Sequence, residues 1–175
     1  RTLPAPGSFR RRFGLPEETR LLIYPGLVTA LKNQIQLIRV AAQIRSKTTL
    51  AFMGGLIDEP YSKEFLQNIE SSPNCRYLGC LPAKEVVSAM CEASLCLFPS
   101  LNEGAPLTLL ESMQHGLPWL ATPEVVFARE LKGGIIAPVH EFPRLIDHLL
   151  SDPERCLELG ADGKHFNRPT HMAWL

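Results

Sequence analysis

Six short apolar runs, separated by longer segments, constrain the fold of this 175-residue chain more than any other feature. All six are mostly apolar, as strands covered by helices on both faces should be. The predicted strands are residues 21–24, 49–53, 75–78, 95–98, 119–121 and 135–137. Because segments with helical spacing connect them, the alternation predicts an α/β fold, a Rossmann-like doubly wound parallel sheet.

The connecting segments have the apolar spacing of helices that cover a sheet. In the first connection Ile35, Ile38 and Ala42 recur at intervals of three and four and would share one face. Helices are predicted at residues 34–44, 61–69, 83–93, 106–115, 141–150 and 153–164. The helix at 106–115 has the clearest limits, because Pro106 suits a first turn and Gly116 a stop.

The length of the chain fits one compact domain. The first apolar strand begins only near Leu21, so residues 1–20 are predicted to be an N-terminal segment or linker. Residues 21–175 would then form one Rossmann-like domain. Since the chain begins at Arg1 without a methionine, we expect it to be part of a longer protein.

Charge, hydropathy and cysteine usage exclude several classes of protein. Eighteen basic and eighteen acidic residues leave no net charge, which argues against a nucleic acid partner. No apolar stretch could span a membrane, so membrane association is expected only through absent regions. The five cysteines lack disulfide or metal-binding spacing, which predicts reduced thiols and a cytoplasmic location. No metal and no cofactor is expected, since no spacing of histidines or aspartates suggests a metal site either.

The segment after the fourth predicted strand has the features of a phosphate site. Doubly wound sheets bind ligands beyond the carboxyl ends of their strands. Gly104 permits a tight turn there, and the helix that follows offers amides and the positive end of its dipole. Because Pro106 has no amide hydrogen, the donors would be the amides of Gly104, Ala105, Leu107 and Thr108.

Two glutamates flank this predicted phosphate site. Glu103 precedes the helix, and Glu111 lies inside it. Carboxylates accept hydrogen bonds from paired sugar hydroxyls, so the two could hold the ribose and the transferred sugar of one nucleotide sugar. In the alternative, Glu103 is a charge favoured by the helix dipole and Glu111 is a solvated surface residue.

The wider sequence resembles a family signature. Residues 97–122 resemble the "PS..EG.P...LE.M..G.P...T" stretch of retaining glycosyltransferases with the GT-B fold, group 1 or family 4-like, whose two glutamates stand eight positions apart. Residues 23–32 resemble the opening "V-G-R....K-G" stretch of that family. Residues 77–79 and 130–136 resemble its "F-L-G" and "E...GG.L" segments. The resemblance covers roughly residues 21–164.

The resemblance implies a donor-binding, C-terminal half of a hexosyl or related transferase, which uses a UDP or GDP sugar without a metal. Lys32 would contact the diphosphate, Glu111 the ribose and Glu103 the donor sugar, so Lys32 and Glu103 are the predicted catalytic residues. Gly26 lies in the opening motif, and Leu81 lies where the base would rest. The resemblance also implies an N-terminal acceptor-binding domain that this chain lacks, so we expect the chain alone to bind nucleotide and transfer little.

Two departures from the family pattern keep alternatives open. Leu27 stands where an arginine is expected, and lysine does not fully replace a bidentate guanidinium. Val125 and Val126 stand where paired glycines are common. The alternatives are a catalytically silent nucleotide-sugar-binding or scaffold domain, a GT-B epimerase and a flavodoxin-like regulatory domain. Lys32 by itself could also be an ordinary surface lysine.

Overall fold

The computed structural model describes residues 5–166, and its centre is a six-stranded sheet. The strands are β1 (Arg20–Pro25), β2 (Thr48–Met53), β3 (Cys75–Tyr77), β4 (Leu95–Phe98), β5 (Trp119–Ala121) and β6 (Gly134–Ile136). They lie in the order β3-β2-β1-β4-β5-β6, and every neighbouring pair is parallel. The predicted doubly wound, Rossmann-like sheet is therefore confirmed.

Seven α-helices lie in the described part of the chain, and the six that the sequence predicts are among them. They are α1 (Ser8–Phe13), α2 (Gln34–Ala41), α3 (Glu59–Glu70), α4 (Ala83–Glu92), α5 (Leu107–Gln114), α6 (Phe142–Ser151) and α7 (Pro153–Phe166). The helix α2 ends before the predicted residue 44, because a turn from Gln43 N to Val40 O at 2.9 Å redirects the chain toward β2. None of these helices is long and apolar enough to cross a membrane.

Strand β1 shows how the sheet buries both of its faces. Leu22 and Tyr24 belong to one core cluster, and Leu21 and Ile23 belong to the other. Residues of α2, α3 and α6 complete the first cluster, and residues of α1, α4 and α5 complete the second. Because successive side chains of a strand point to opposite faces, a strand covered on both sides must be apolar throughout.

The N-terminal segment includes a helix that packs on the domain. The side chain of Phe9 in α1 is fully buried in the second cluster. The carboxylate of Glu92 at the end of α4 accepts hydrogen bonds from the amides of Phe9 and Arg10, at 2.8 and 3.2 Å. Residues 8–13 are thus held by an apolar contact and a capping carboxylate. The division at residue 20 stays a prediction from the sequence.

The strand order determines where a ligand can lie. Strands β1 and β4 are neighbours at the centre of the sheet, with Ile23 beside Cys96. From β1 the chain winds outward to β3, and from β4 it winds the opposite way to β6. The connections after β1 and β4 therefore diverge and leave a crevice at the carboxyl edge, where such sheets bind their ligands.

Candidate functional site

The loops after β1, β2 and β3 approach one another closely through glycines. The amide of Gly26 donates to Met53 O at 2.7 Å, and the amide of Gly54 donates to Gly79 O at 2.9 Å. Gly54 has a φ of +154°, and a Cβ there would collide with the carbonyl group of Gly26. These contacts form a floor of main-chain atoms, free of side chains, at the carboxyl edge. The sequence did not predict the close contact at Gly54.

A cleft of about 270 Å³ opens on this floor, between the first three loops and helix α5. It brings together four of the predicted donor-binding residues: Gly26, Leu81, Thr108 and Glu111. The rest of its lining is Pro25, Met53, Gly54, Cys80, Ala83 and Val86. The carboxylate of Glu111 is therefore the one formal charge in a lining that otherwise consists of apolar side chains, main chain, the Thr108 hydroxyl and the Cys80 thiol.

Helix α5 presents its first turn and Glu111 without side-chain partners. No hydrogen bond or ion pair within residues 5–166 involves the exposed carboxylate of Glu111. The amides of Gly104, Ala105, Leu107 and Thr108 likewise donate no hydrogen bond within that range. Of these four residues, only Thr108 lines the 270 Å³ cleft. The unpaired amides are the arrangement that suits a phosphate at a helix N-terminus.

The two predicted catalytic residues contact each other directly. Lys32 ends a 3₁₀ helix after β1, and its Nζ pairs with Oε1 of Glu103, which follows β4. The other carboxylate oxygen, Oε2, accepts a hydrogen bond of 2.7 Å from Ser100 Oγ. The side chains of Lys32 and Glu103 are 28% and 12% exposed. The pair thus lies at the crevice between β1 and β4, and neither residue lines the 270 Å³ cleft.

Polar groups that the sequence did not predict hold the loop of Glu103 in place. Thr122 Oγ1 donates to Ser100 O at 2.5 Å, and Asn33 Nδ2 donates to Pro99 O at 3.2 Å. Asn33 has a φ of +61°, a conformation that asparagine tolerates better than most residues. Asparagine is common at the start of a helix, and serine, threonine and proline are common after strands. The local sequence around these residues therefore did not indicate the contacts.

The valine pair that departs from the family pattern also supports this loop. Val125 is fully buried and bridges Glu103, and the amide of Val126 donates to Glu103 O at 3.0 Å. Val125 has a φ of −83°, so the backbone does not require glycine there. The side chain of Val126 is 59% exposed. The two valines therefore form a bridge between the loop of Glu103 and the segment after β5.

Leu27, the other residue that departs from the family pattern, presents an apolar side chain to solvent. It is 48% exposed, and its carbonyl accepts a hydrogen bond of 2.7 Å from Gln34 Nε2. Below this loop lies Tyr24, whose hydroxyl would be 2.9 Å from a Cβ on Gly26. Burial, and next the charge of Glu103, raise the pKa of Tyr24 well above its ordinary value. The phenol therefore stays neutral beneath the loop.

A second cavity, of about 700 Å³, lies away from every predicted site residue. It lies between the segment after α2 and the start of α6, and Asp147 on its wall accepts hydrogen bonds from Arg45 N, Ser46 N and Ser46 Oγ. Burial raises the pKa of Asp147, but the hydrogen bonds from Ser46 and Arg45 outweigh it and lower that pKa. Across residues 5–166 no cluster of three or more metal-ligating side chains is present.

Comparison with known proteins gives a family match over nearly the whole chain. The family model described as "Glycosyl transferases group 1" matches residues 7–166. EpsD of Bacillus subtilis (strain 168), whose name assigns it to the glycosyltransferases, is 29% identical over 167 residues, which cover 89% of this chain and 42% of EpsD. A D-inositol 3-phosphate glycosyltransferase of Thermobispora bispora is 29% identical over an alignment of 179 positions, gaps included, that covers 90% of this chain and 41% of that protein. The chain thus spans less than half the length of both relatives.

Solved structures share the fold. Anabaena Alr3699/HepE, in complex with UDP and glucose, matches with a TM-score of 0.84 at 19% identity, over 94% of this chain and 48% of that one. The C-terminal domain of a glycosyl transferase group 1 family protein (LpcC) from Francisella tularensis matches with a TM-score of 0.78 at 17% identity. That match covers 93% of this chain and 92% of the other. At these identities the likeness concerns the fold alone.

Proposed function

Because the chain belongs to the glycosyl transferases group 1 family, we propose that it is the donor-binding domain of such an enzyme. Its ligand would be a nucleoside diphosphate sugar, used for retaining transfer of the sugar to an acceptor. The acceptor site would lie in an N-terminal domain outside this chain. The proposal includes a cytoplasmic location, because the five cysteines are free and thiols stay reduced in that compartment.

One observation carries the proposal: the two glutamates of the sequence motif lie at one crevice in two different settings. Glu111 shares a cleft with Gly26, Leu81 and Thr108, which suits a ribose and base. Glu103 lies at the crevice but outside this cleft, and it is paired with Lys32, which suits a sugar next to a diphosphate. The free amides at the start of α5, on the chain between the two glutamates, would be available to the diphosphate.

The leaving-group charge would be stabilised electrostatically in this proposal. When the sugar leaves, negative charge develops on the diphosphate. Lys32 and the free amides of α5 would meet that charge in a fixed arrangement, which acts most strongly where water is excluded. The proposed mechanism therefore takes no step through a metal. UDP and UDP-glucose complexes of Anabaena Alr3699/HepE, a protein of the same fold, are consistent with this class of ligand.

Calorimetric titration of the folded chain with UDP and GDP tests the proposal. We expect saturable binding of at least one diphosphate, and much weaker binding of uridine or guanosine, because the nucleosides lack the diphosphate. Circular dichroism with a cooperative melting transition establishes that the titrated chain is folded. If a folded chain binds neither diphosphate, the proposal fails.

A second candidate is a catalytically silent domain that binds a nucleotide sugar. The exposed Leu27 favours it, since a bidentate phosphate donor is missing at that position. The two candidates differ in the full-length protein, where a silent domain binds the donor and turns none of it over. Turnover that rises in Leu27→Arg would locate the deficiency at this residue, whereas turnover by the natural sequence would reject the silent alternative.

A further inference from the structure

Ser100 is a fully buried serine that donates a hydrogen bond to Glu103 and does not line the cleft. We propose that Ser100 is a positioning residue, which fixes the Glu103 carboxylate in the orientation that accepts hydrogen bonds from the donor sugar. Ser100 would act through Glu103 and would not touch the donor itself. The inference rests on the proposed function and adds to it a residue that orients the carboxylate proposed to bind the sugar.

The position of Ser100 is itself fixed from two sides. Its carbonyl accepts the 2.5 Å hydrogen bond from Thr122 Oγ1, and the amide of Thr122 donates to Phe98 O at 3.0 Å. The next residue, Leu101, donates its amide to Leu31 O at 2.8 Å. Ser100 is therefore linked to the segment that follows β5 on one side and to the loop of Lys32 on the other. A hydroxyl on so constrained a backbone has few positions available.

Glu103 requires such an anchor because its side chain is long and flexible. An ordered glutamate loses more rotamer freedom than most residues, so a carboxylate held at one oxygen could still swing. Lys32 holds Oε1, and Ser100 Oγ holds Oε2 at 2.7 Å. Each carboxylate oxygen can accept more than one hydrogen bond, so both retain capacity for a sugar hydroxyl. With two anchors, the carboxylate is oriented before the sugar arrives.

A matched control is available in the same part of the molecule. Ser112 in α5 is also fully buried, and its Oγ donates to Leu109 O at 2.7 Å. Ser112→Ala removes a buried hydrogen bond of the same length without touching Glu103. A purely structural role for Ser100 would make Ser100→Ala and Ser112→Ala behave alike.

The test compares the affinity for a nucleoside diphosphate with that for its sugar conjugate. The wild-type chain, Ser100→Ala and Ser112→Ala are titrated with UDP and GDP, and with UDP-glucose, UDP-N-acetylglucosamine and GDP-mannose. For the sugar that binds best, Ser100→Ala should lower the ratio Kd(diphosphate)/Kd(sugar conjugate) by about fivefold. Its affinity for the diphosphate alone should stay within about twofold of wild type. Ser112→Ala should leave the ratio unchanged.

The outcomes separate this inference from the proposed function. If the wild-type chain binds no diphosphate, the proposed function fails, and this inference with it. If it binds a diphosphate but gains nothing from any sugar, or if Ser100→Ala keeps the wild-type ratio, only the positioning role is overturned. In a Glu103→Gln background, Ser100→Ala should change the ratio no further, and an additional loss would also overturn it. If Ser100→Ala does not fold, Ser100→Cys keeps the size with a weaker donor, and an unchanged ratio there overturns the inference.

Discussion

Glu103 and Glu111 belong to one sequence motif, yet their surroundings differ. Both oxygens of Glu103 are engaged, by Lys32 and Ser100, and its side chain is 12% exposed. Glu111 is exposed and has no side-chain partner in the described part of the chain. We call the region of Glu103, residues 99–103 with Lys32, the bonded side, and the cleft-facing part of α5 with residues 80–83 the open side. Two glutamates of one motif can thus differ in this respect. One side chain is held in place before a ligand binds, and the other would be ordered only by the ligand.

This difference separates specificity from affinity. A group that is already fixed loses little freedom on binding, so it discriminates between ligands by geometry. A group that is free loses conformational entropy when a ligand orders it, but it can adapt its hydrogen bonds to any nucleotide that reaches it, so it contributes to affinity with little discrimination. We therefore expect substitutions of Ser100 and Glu103 on the bonded side to change mainly which donor is preferred. Substitutions on the open side, and of Lys32, whose cation would also attract the diphosphate, should change how tightly any nucleotide is held.

Lys32→Met gives the largest expected effect and would break the bonded side. The substitution removes the cation that would attract the diphosphate. It also leaves the largely buried carboxylate of Glu103 without its ion-pair partner, and an unpaired buried charge is unfavourable. We expect affinity for UDP or GDP, whichever binds, to fall about 50-fold, from the combined loss of attraction and the new repulsion. Calorimetric titration of the variant checks this.

The control for that variant is Lys47→Met. Lys47 is exposed and precedes β2 at the opposite edge of the sheet. The change in net charge is the same in both variants, so a general electrostatic effect would weaken binding equally. Equal losses in Lys32→Met and Lys47→Met would contradict a local role for Lys32.

Glu111→Gln tests the open side and has the next largest expected effect. Glutamine keeps the shape of the side chain but accepts weaker hydrogen bonds from the ribose hydroxyls than a carboxylate does. We expect about tenfold weaker binding of the preferred diphosphate, with the preference among sugar conjugates unchanged. Against a 2′,3′-dideoxy diphosphate the variant and the wild type should bind alike.

Glu64→Gln in α3 is the matched control for Glu111, since Glu64 is also an exposed helical glutamate and does not line the cleft. It should bind the diphosphate like wild type. If Glu111→Gln changed the choice of sugar and left diphosphate affinity intact, the two sides would have to exchange roles.

Glu103→Gln should act in the opposite direction on the diphosphate. Neutralising the carboxylate releases Lys32 and removes a negative charge near the phosphates, so the diphosphate should bind about threefold more tightly. The same variant should lose its preference for sugar conjugates, because the amide does not reproduce the carboxylate's two acceptors. Titration with diphosphate and sugar conjugate measures both effects. Weaker diphosphate binding would show that Lys32 depends on Glu103 for its position.

The sequence predicted the six strands and six of the seven α-helices in the described part of the chain because these follow from local patterns. Apolar runs mark β1 to β6, and the turn at Gly104 with the proline after it marks the start of α5. The contacts that distinguish the two glutamates were not predictable in this way. Lys32 and Glu103 are 71 positions apart, and Thr122 reaches Ser100 across 22 positions. Such contacts depend on the order and register of the strands. The sequence of one segment does not reveal them.

The close packing of the glycine loops was hidden for a similar reason. Gly54 looks like an ordinary turn residue, and its conflict with Gly26 arises only when β1 and β2 pair in register. The burial of Phe9 also depends on a distant residue, because Glu92 caps α1 from 83 positions away. Local sequence therefore gave the elements and the motif, whereas the tertiary fold decides which polar groups become partners.

A thiol on the open side allows a smaller test of where the base lies. Cys80 is exposed and lines the cleft, whereas Cys91 is exposed near the end of α4 and lines another surface. If the ligand orders the open side, a saturating diphosphate should slow alkylation of Cys80 by iodoacetamide by about twofold and leave Cys91 unchanged, since bound ligand blocks access. Each thiol is compared only with itself, because burial, and next Glu92, raise the pKa of Cys91. Peptide mass spectrometry measures both rates. Equal slowing at both thiols would indicate general stabilisation by binding, and no slowing at Cys80 would place the base outside the cleft.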